Sequence, residues 1–361
     1  MKNFIALALS GIGASLLLVA GCTPSSDSKA PDTASSTPKS PVVGGKHEDM
    51  LVGLVFDKGG LGDKSFNDSA NRGLEAAKSK LGIKTKTVDS KSDSEYQTNL
   101  EALAEGGAQL VIGVGISMQK AVELAAKKYP KVKFGIVDAP VDAPNVRSMV
   151  FKEEEGSFMV GYLAALMTKT HKLGFVGGMD FPLIRKFQFG YQAGARLADP
   201  KIEFLPAKFT GDWVNVDLGK ENAKSLYGGG ADIVYAAAGR AGLGVISAAA
   251  ETKNYAIGVD SDQDEIEKGS VLTSMIKHVD VAVEQTITDT VNGSFSPGTK
   301  VYDLKAEGVG LSPMTYTKDA IGADKLAKVE AIKQKIISGA IKVPTTESEF
   351  NATTATAPSQ G

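Results

Sequence analysis

Short, uninterrupted apolar runs alternate with helix-period segments along most of this 361-residue chain, and that alternation limits the fold more than any other feature. Residues 51–56 read Leu-Val-Gly-Leu-Val-Phe, with no polar side chain on either face. A strand apolar on both faces needs cover on both, which is the mark of a parallel sheet flanked by helices. A helix then runs from about Ser65 to Leu81. Phe66, Ala70, Leu74, Ala77 and Leu81 fall at helical spacing, Ser65 and Asp68 resemble a capping box, and Gly82 ends the segment. The unit recurs with strands at 83–88, 110–114 and 133–137 and helices at 94–105 and 118–128.

A polar stretch, Lys152-Glu153-Glu154-Glu155-Gly156, reads as a flexible interdomain crossover, and beyond it the alternation restarts. Helices are expected at 157–169, 182–198, 215–227 and 242–252, with strands at 173–176, 202–205, 232–236 and 255–259. Two successive blocks of similar size predict an α/β protein of two doubly wound parallel-sheet lobes joined by a hinge. A (βα)₈ barrel is the alternative, but it needs eight uninterrupted units. A strand at 271–276, a helix at 279–291, a strand near 301–304 and a basic helix at 323–338 then recross the hinge. The expected division is therefore 47–152 plus about 277–300 for lobe 1 and 153–276 plus about 301–345 for lobe 2. Residues 346–361 are expected to form a disordered tail.

The first 21 residues resemble a secretory signal: Met1-Lys2-Asn3, an apolar run over 4–20, then Val19-Ala20-Gly21. Cys22 follows directly and resembles the cysteine of a bacterial lipobox, whose thiol receives a diacylglycerol. A simple signal peptide with an incidental cysteine, or an uncleaved anchor, is the alternative. Because Cys22 is the only cysteine, a lipidated mature chain has neither a disulfide nor a cysteine metal ligand. Residues 22–46 are expected to be a lipid-anchored flexible linker, since their Ser, Thr, Pro, Ala, Gly and Lys cannot bury enough surface to offset ordering entropy. Removing 1–21 takes away only Lys2, so the formal charge of −2 becomes −3. That mildly acidic balance argues against nucleic acid as a partner.

In open parallel sheets ligands sit beyond the carboxyl ends of the strands. Strand 51–56 leads to Asp57, a glycine-rich turn and Asp63-Lys64-Ser65-Phe66-Asn67; strands 110–114 and 133–137 lead to Gly115 and Asp138. In the second block the corresponding residues are Gly239-Arg240-Ala241-Gly242 and Asp260-Ser261-Asp262, with Phe209 and Trp213 in loop 206–214. Singly these are ordinary loop residues. Together they gather carboxylates and aromatics at one end of both sheets. Carboxylates accept paired hydrogen bonds from vicinal hydroxyls, two aromatic faces can sandwich a flat base, and Lys277 could donate to a ribose oxygen. Catalytic patterns are poor. His47, His171 and His278 have no metal-ligand spacing, and no Walker A, HExxH or nucleophile elbow occurs. Neither a cofactor nor a metal is expected, nor an enzyme.

The segments Asp63-Lys64-Ser65-Phe66-Asn67, Glu155-Gly156-Ser157-Phe158, Gly177-Gly178-Met179, Ile257-Gly258-Val259-Asp260 and Leu272-Thr273-Ser274-Met275-Ile276-Lys277 resemble the basic membrane protein family, the nucleoside-binding lipoproteins of the purine nucleoside receptor type. The resemblance runs from about Leu51 to Pro344. It implies a periplasmic-binding-protein type I fold, two lobes that close on a purine or other nucleoside, and an ABC permease as partner. The chain is expected to be a monomer anchored at the cell membrane outside the cytoplasm, in the periplasm or on the outer face. Carried over by position, Asp57 and Asn67 would bond the ligand and Phe66 would stack on the base. Asp138 would read the base edge, Gly239, Asp260 and Lys277 would hold the ribose, and spacing to Gly219 puts Trp213, not Phe209, on the second face. The other readings are the same fold binding a sugar or signal solute, and a nucleoside-processing enzyme.

Overall fold

A computed structural model describes residues 47–355. The expected signal peptide, Cys22 and the whole of the linker lie outside the described residues.

Lobe 1 opens with β1 (Leu51–Phe56), α1 (Phe66–Leu81), β2 (Lys84–Asp89), α2 (Tyr96–Glu105), β3 (Leu110–Val114), α3 (Gln119–Lys128), β4 (Lys133–Val137) and β5 (Val146–Phe151). The chain crosses to lobe 2 for α4 (Glu153–Met167), β6 (Lys172–Gly177), α5 (Pro182–Ala198), β7 (Glu203–Phe204), β8 (Lys208–Phe209), α6 (Val216–Gly228), β9 (Ile233–Ala237), α7 (Gly242–Thr252), β10 (Tyr255–Asp260) and β11 (Val271–Lys277). It returns to lobe 1 for α8 (Val279–Val291) and β12 (Gly298–Tyr302). It ends in lobe 2 with β13 (Val309–Leu311), α9 (Lys318–Ile321), α10 (Ala323–Ile337) and α11 (Glu347–Ala355).

The two sheets have the order β12-β5-β4-β3-β1-β2 and β13-β11-β10-β9-β6-β7, with β8 also pairing to β6. Every pairing is parallel except β11 with β13. Both sheets therefore repeat one doubly wound plan, with switch points at β1/β3 and β6/β9, and the barrel alternative falls away. The apolar strands are covered as their composition requires: Val52, Leu54, Val55 and Phe56 of β1 are all fully buried. One core cluster runs through both lobes, and two smaller ones fill the remaining sheet faces under α2 and α3 and under α6 and α7.

Three expectations need correction. The crossing does come at 152–156, but not as a flexible link: α4 starts at Glu153, whose side chain is 0% exposed. The final return to lobe 2 comes after Tyr302 rather than near 301, because β12 extends the first sheet by pairing with β5 from Gly298↔Arg147 to Tyr302↔Phe151. Residues 347–355 are helical, not a disordered tail. Phe350 is buried against lobe 2, its ring centroid 6.1 Å from that of Phe189 and 6.5 Å from that of Phe204.

Helices α4 and α5 meet backbone to backbone. A Cβ on Gly161 would come 1.9 Å from the Tyr191 carbonyl oxygen, and one on Gly194 1.9 Å from that of Phe158. The first turns of α5 lie at the cleft, where Leu183, Ile184 and Phe187 line it.

Candidate ligand-binding site

Four of the strand ends at the cleft turn the chain through the left-handed region. Gly115 follows β3 (φ 117°) and Gly239 follows β9 (φ 56°); Asp138 follows β4 (φ 72°) and Asp260 closes β10 (φ 65°). A non-glycine residue with positive φ is uncommon, though Asp tolerates it better than most. The two lobes thus present a glycine and an aspartate by the same device, at equivalent places in the repeated topology. Strained backbone persists where the surroundings hold it, often at binding sites.

A cavity of about 590 Å³, open mouth included, lies between the lobes. Asp57, Phe66, Asn67, Asp138, Trp213, Gly239, Asp260 and Lys277 all line it, so every ligand-binding residue expected from the sequence is gathered there. Phe209 does not line it. That ring is packed on Gly177 beneath the Arg185 guanidinium, 4.4 Å from its centroid, whereas Trp213 lies over Gly178, where a Cβ would come 2.3 Å from the indole.

The polar groups are held from behind. Asp57 Oδ1 accepts from the Gly59 backbone N–H (2.8 Å) and from Asn67 Nδ2 (2.7 Å). Asn67 Nδ2 also donates to Asp63 Oδ2 at 3.1 Å. These two acceptors fix the orientation of the amide and leave the buried Asn67 Oδ1 without a partner. Lys277 Nζ donates to Asp138 Oδ2 at 2.6 Å, and the buried Asp138 Oδ1 is likewise unpartnered. The lysine is 2% exposed and sits among the rings of Phe66, Phe151 and Phe187, with centroids at 4.9, 5.2 and 5.6 Å.

Burial pushes the Asp57 carboxyl up from the usual 3.8 to about 6, against the hydrogen bond from Asn67. Burial does the same to Asp260, also to about 6, against the pull of Lys277 and the Ser65 hydroxyl. Burial alone would lower Lys277, but the charges of Asp138, Glu153 and Asp260 outweigh it and hold the ammonium above its usual range.

The expected Ser65 cap does not form. Asp63 takes the role, accepting from the backbone N–H groups of Ser65 (2.9 Å), Asn67 (2.8 Å) and Asp68 (3.1 Å). Ser65 is thereby free to reach lobe 2, as do its neighbours: Gln263 Nε2 donates to the Lys64 carbonyl at 3.1 Å, and Ser261 Oγ to the Ser65 carbonyl at 2.9 Å.

Sequence reasoning missed Leu183, Ile184 and Phe187 on α5, which line the cavity, and gave no role to Arg240, which lines it too. Pro182 at the first helical position places α5's start at the strand end, and that was the available signal. Among the described residues no group of three or more His, Cys, Asp or Glu could hold a metal ion.

The family model described as "ABC transporter substrate-binding protein PnrA-like" matches residues 50–347. A "CD4+ T-cell-stimulating antigen" of Listeria monocytogenes is 38% identical, covering 95% of this chain and 99% of the relative. The "ABC transporter nucleoside-binding protein BmpA" of Lactococcus lactis is 37% identical, covering 82% and 89%. The crystal structure of an ABC transporter solute-binding protein from Aeropyrum pernix K1 superimposes with a TM-score of 0.77 at 30% identity, covering 84% of this chain and 96% of that one. Such neighbours, with the two-sheet topology, make the fold a periplasmic-binding-protein type I fold. The chain belongs to the Bmp family of PnrA-like ABC transporter substrate-binding proteins.

Proposed function

We propose that this protein captures nucleosides, purine nucleosides foremost, in the interlobe cleft and hands them to an ABC importer, working outside the cytoplasm on a lipid anchor at Cys22. The observation that carries the ligand class is a pair of buried, unpartnered acceptors, Asn67 Oδ1 and Asp138 Oδ1, in a cavity also lined by Phe66 and Trp213. A ligand that satisfies them must bring at least two N–H or O–H donors, because a buried acceptor left unmet costs about 1–3 kcal/mol. It must also offer a flat ring to the aromatics, and the bicyclic indole suits a bicyclic base. A nucleoside does both.

The cavity lining counts four carboxylates (Asp57, Asp63, Asp138, Asp260) against two cations (Lys277, Arg240). That balance favours a neutral, donor-rich ligand over a phosphorylated one. The roles we assign are base recognition to Asp57, Asn67 and Asp138, stacking to Phe66 and Trp213, and ribose contacts to Gly239, Asp260 and Lys277. Binding without turnover is the reading throughout, with the protein as a monomer. The relative's name, nucleoside-binding, points the same way. No described helix is long and apolar enough to cross a membrane, and the anchor is assigned to Cys22 on the lipobox resemblance alone.

Mass spectrometry of the small molecule released by denaturing the purified protein tests the ligand class: a nucleoside supports it, and a hexose or an amino acid contradicts it. For the anchor, Cys22→Ala should move the protein from the membrane fraction to the soluble one. Retention after a carbonate wash would refute lipidation.

A further inference from the structure

The first two crossings between the lobes meet at one buried ion cluster. Glu153 opens α4 two residues after Phe151 ends β5, and Lys277 ends β11 two residues before Val279 opens α8. Glu153 is 0% exposed and does not line the ligand cavity. Its Oε1 lies 3.6 Å from Lys277 Nζ and its Oε2 3.7 Å from Lys186 Nζ on α5, yet neither oxygen accepts a hydrogen bond. Lobe 1 adds Asp138, whose Oδ2 holds the same Lys277 at 2.6 Å. The Tyr235 hydroxyl on β9, bonded to Ser157 at 3.1 Å, is the other titratable group near Glu153, and Asp260 is the third carboxylate acting on Lys277.

A buried ammonium needs counter-charge, and one held by a single carboxylate commits that carboxylate to it. Asp138 cannot be both the sole counterion of Lys277 and an acceptor offering its Oδ1 to the cleft without a loss in one role. A second carboxylate behind the lysine removes the conflict: burial pushes Glu153 up to about 7 and the charge of Lys277 pulls it back, so above that pH it is ionised and supplies the counter-charge. We infer that Glu153 is a positioning residue: without touching the ligand, it holds the Lys277 ammonium at the hinge from behind, so that Lys277 and Asp138 are both presented to the cleft. The nucleoside reading enters only in the choice of probe.

The test is calorimetric titration of the full chain, in detergent, with inosine. Glu153→Gln keeps the volume and removes the charge; it should weaken binding at least tenfold at unchanged stoichiometry, and Glu153→Asp should restore most of the loss. Lys277→Met should weaken binding as much or more. The double variant Glu153→Gln/Lys277→Met should be no weaker than Lys277→Met alone, because Glu153 acts through Lys277. Losses that add, or full affinity in Glu153→Gln, would overturn the inference.

A second readout needs no ligand. The Lys277 side-chain resonance should titrate at least one pH unit lower in Glu153→Gln, and an unmoved midpoint would overturn the assignment. If inosine fails to bind the wild type, the nucleoside reading fails while this titration still decides the role of Glu153. Should Glu153→Gln not fold, the double variant, which removes both charges, should fold. If it does not, Glu153 has a structural role independent of Lys277 and the inference falls.

Discussion

Ser65 Oγ donates a 2.6 Å hydrogen bond to Asp260 Oδ2 across the cleft, joining the start of α1 in lobe 1 to the end of β10 in lobe 2. The bond exists because Asp63, not Ser65, satisfies the first N–H groups of α1. Hydrogen bonds to charged groups contribute about 1.5–3 kcal/mol. Ser65→Ala should therefore weaken ligand binding by up to about that amount and shift small-angle scattering toward an open form, with little change in thermal stability. Asp63→Ala should do the reverse in kind. It removes a cap worth about 0.5–2 kcal/mol and leaves several N–H groups of α1 unmet, so the melting temperature should fall. Equal loss of stability in both variants would show that Ser65, too, serves the helix.

Asp260 also carries the proposed ribose contact. A nucleoside without the 2′-hydroxyl should bind more weakly by about 1–3 kcal/mol, since it leaves a buried acceptor unmet. Asp260→Ala should largely erase that preference. Four titrations, two proteins with two ligands, decide it. If the preference survives intact in Asp260→Ala, another group reads the sugar.

For the aromatics, Phe66→Ala and Trp213→Ala should each cost about 1–3 kcal/mol of binding, the worth of one stacking face. Phe209→Ala should act instead on stability, because its ring is packed on Gly177 and away from the cavity. Affinity that falls only in Phe209→Ala would contradict the placement of Trp213.

The pH dependence follows from Asp57 and Asp260, both raised by burial to about 6 from the usual 3.8. In the free protein the stability linked to these groups is full below about 3.8 and is lost as pH rises through about 6, because the ionised form is the costly one. A ligand that donates hydrogen bonds to the carboxylates favours that ionised form. Affinity should thus rise with pH through about 6, by up to about tenfold per pH unit for each group below its pKa, with protons released on binding. Calorimetry near pH 6 in two buffers of different ionisation enthalpy measures the release. Proton uptake would contradict the carboxylate contacts.

Elements whose character is local were legible in the sequence. Strands apolar on both faces, such as 110–114, and helices with clean periodicity, such as 182–198 and 279–291, stand where the pattern puts them. The strand Val146–Phe151 was hidden because Arg147 and Ser148 look like loop residues. Arg147 is 3% exposed, and Asp289 of α8 meets it at 2.5 Å, a partner no local window contains. Glu153 misled for the same reason, since its counter-charge Lys277 lies beside it in space but far along the chain, at the end of β11. The helix over 347–355 was lost in a polar, Thr- and Ala-rich composition, and only the socket formed by Phe189 and Phe204 makes Phe350 a core residue. Strand-end residues were readable as a group because topology, not side-chain detail, gathers them. Phe187 was not, because helical periodicity does not distinguish a face turned to the cleft from one turned to the core.

The central claim is that the cleft takes a base and a sugar together, without a phosphate. Titration of ligand-stripped protein with guanosine, guanine, ribose and guanosine monophosphate tests it most directly. The account predicts saturable one-to-one binding of guanosine, with base, sugar and monophosphate each at least about tenfold weaker, the last because carboxylates outnumber cations in the lining. Ribose or the monophosphate binding as tightly as guanosine, or no nucleoside binding at all, would contradict it.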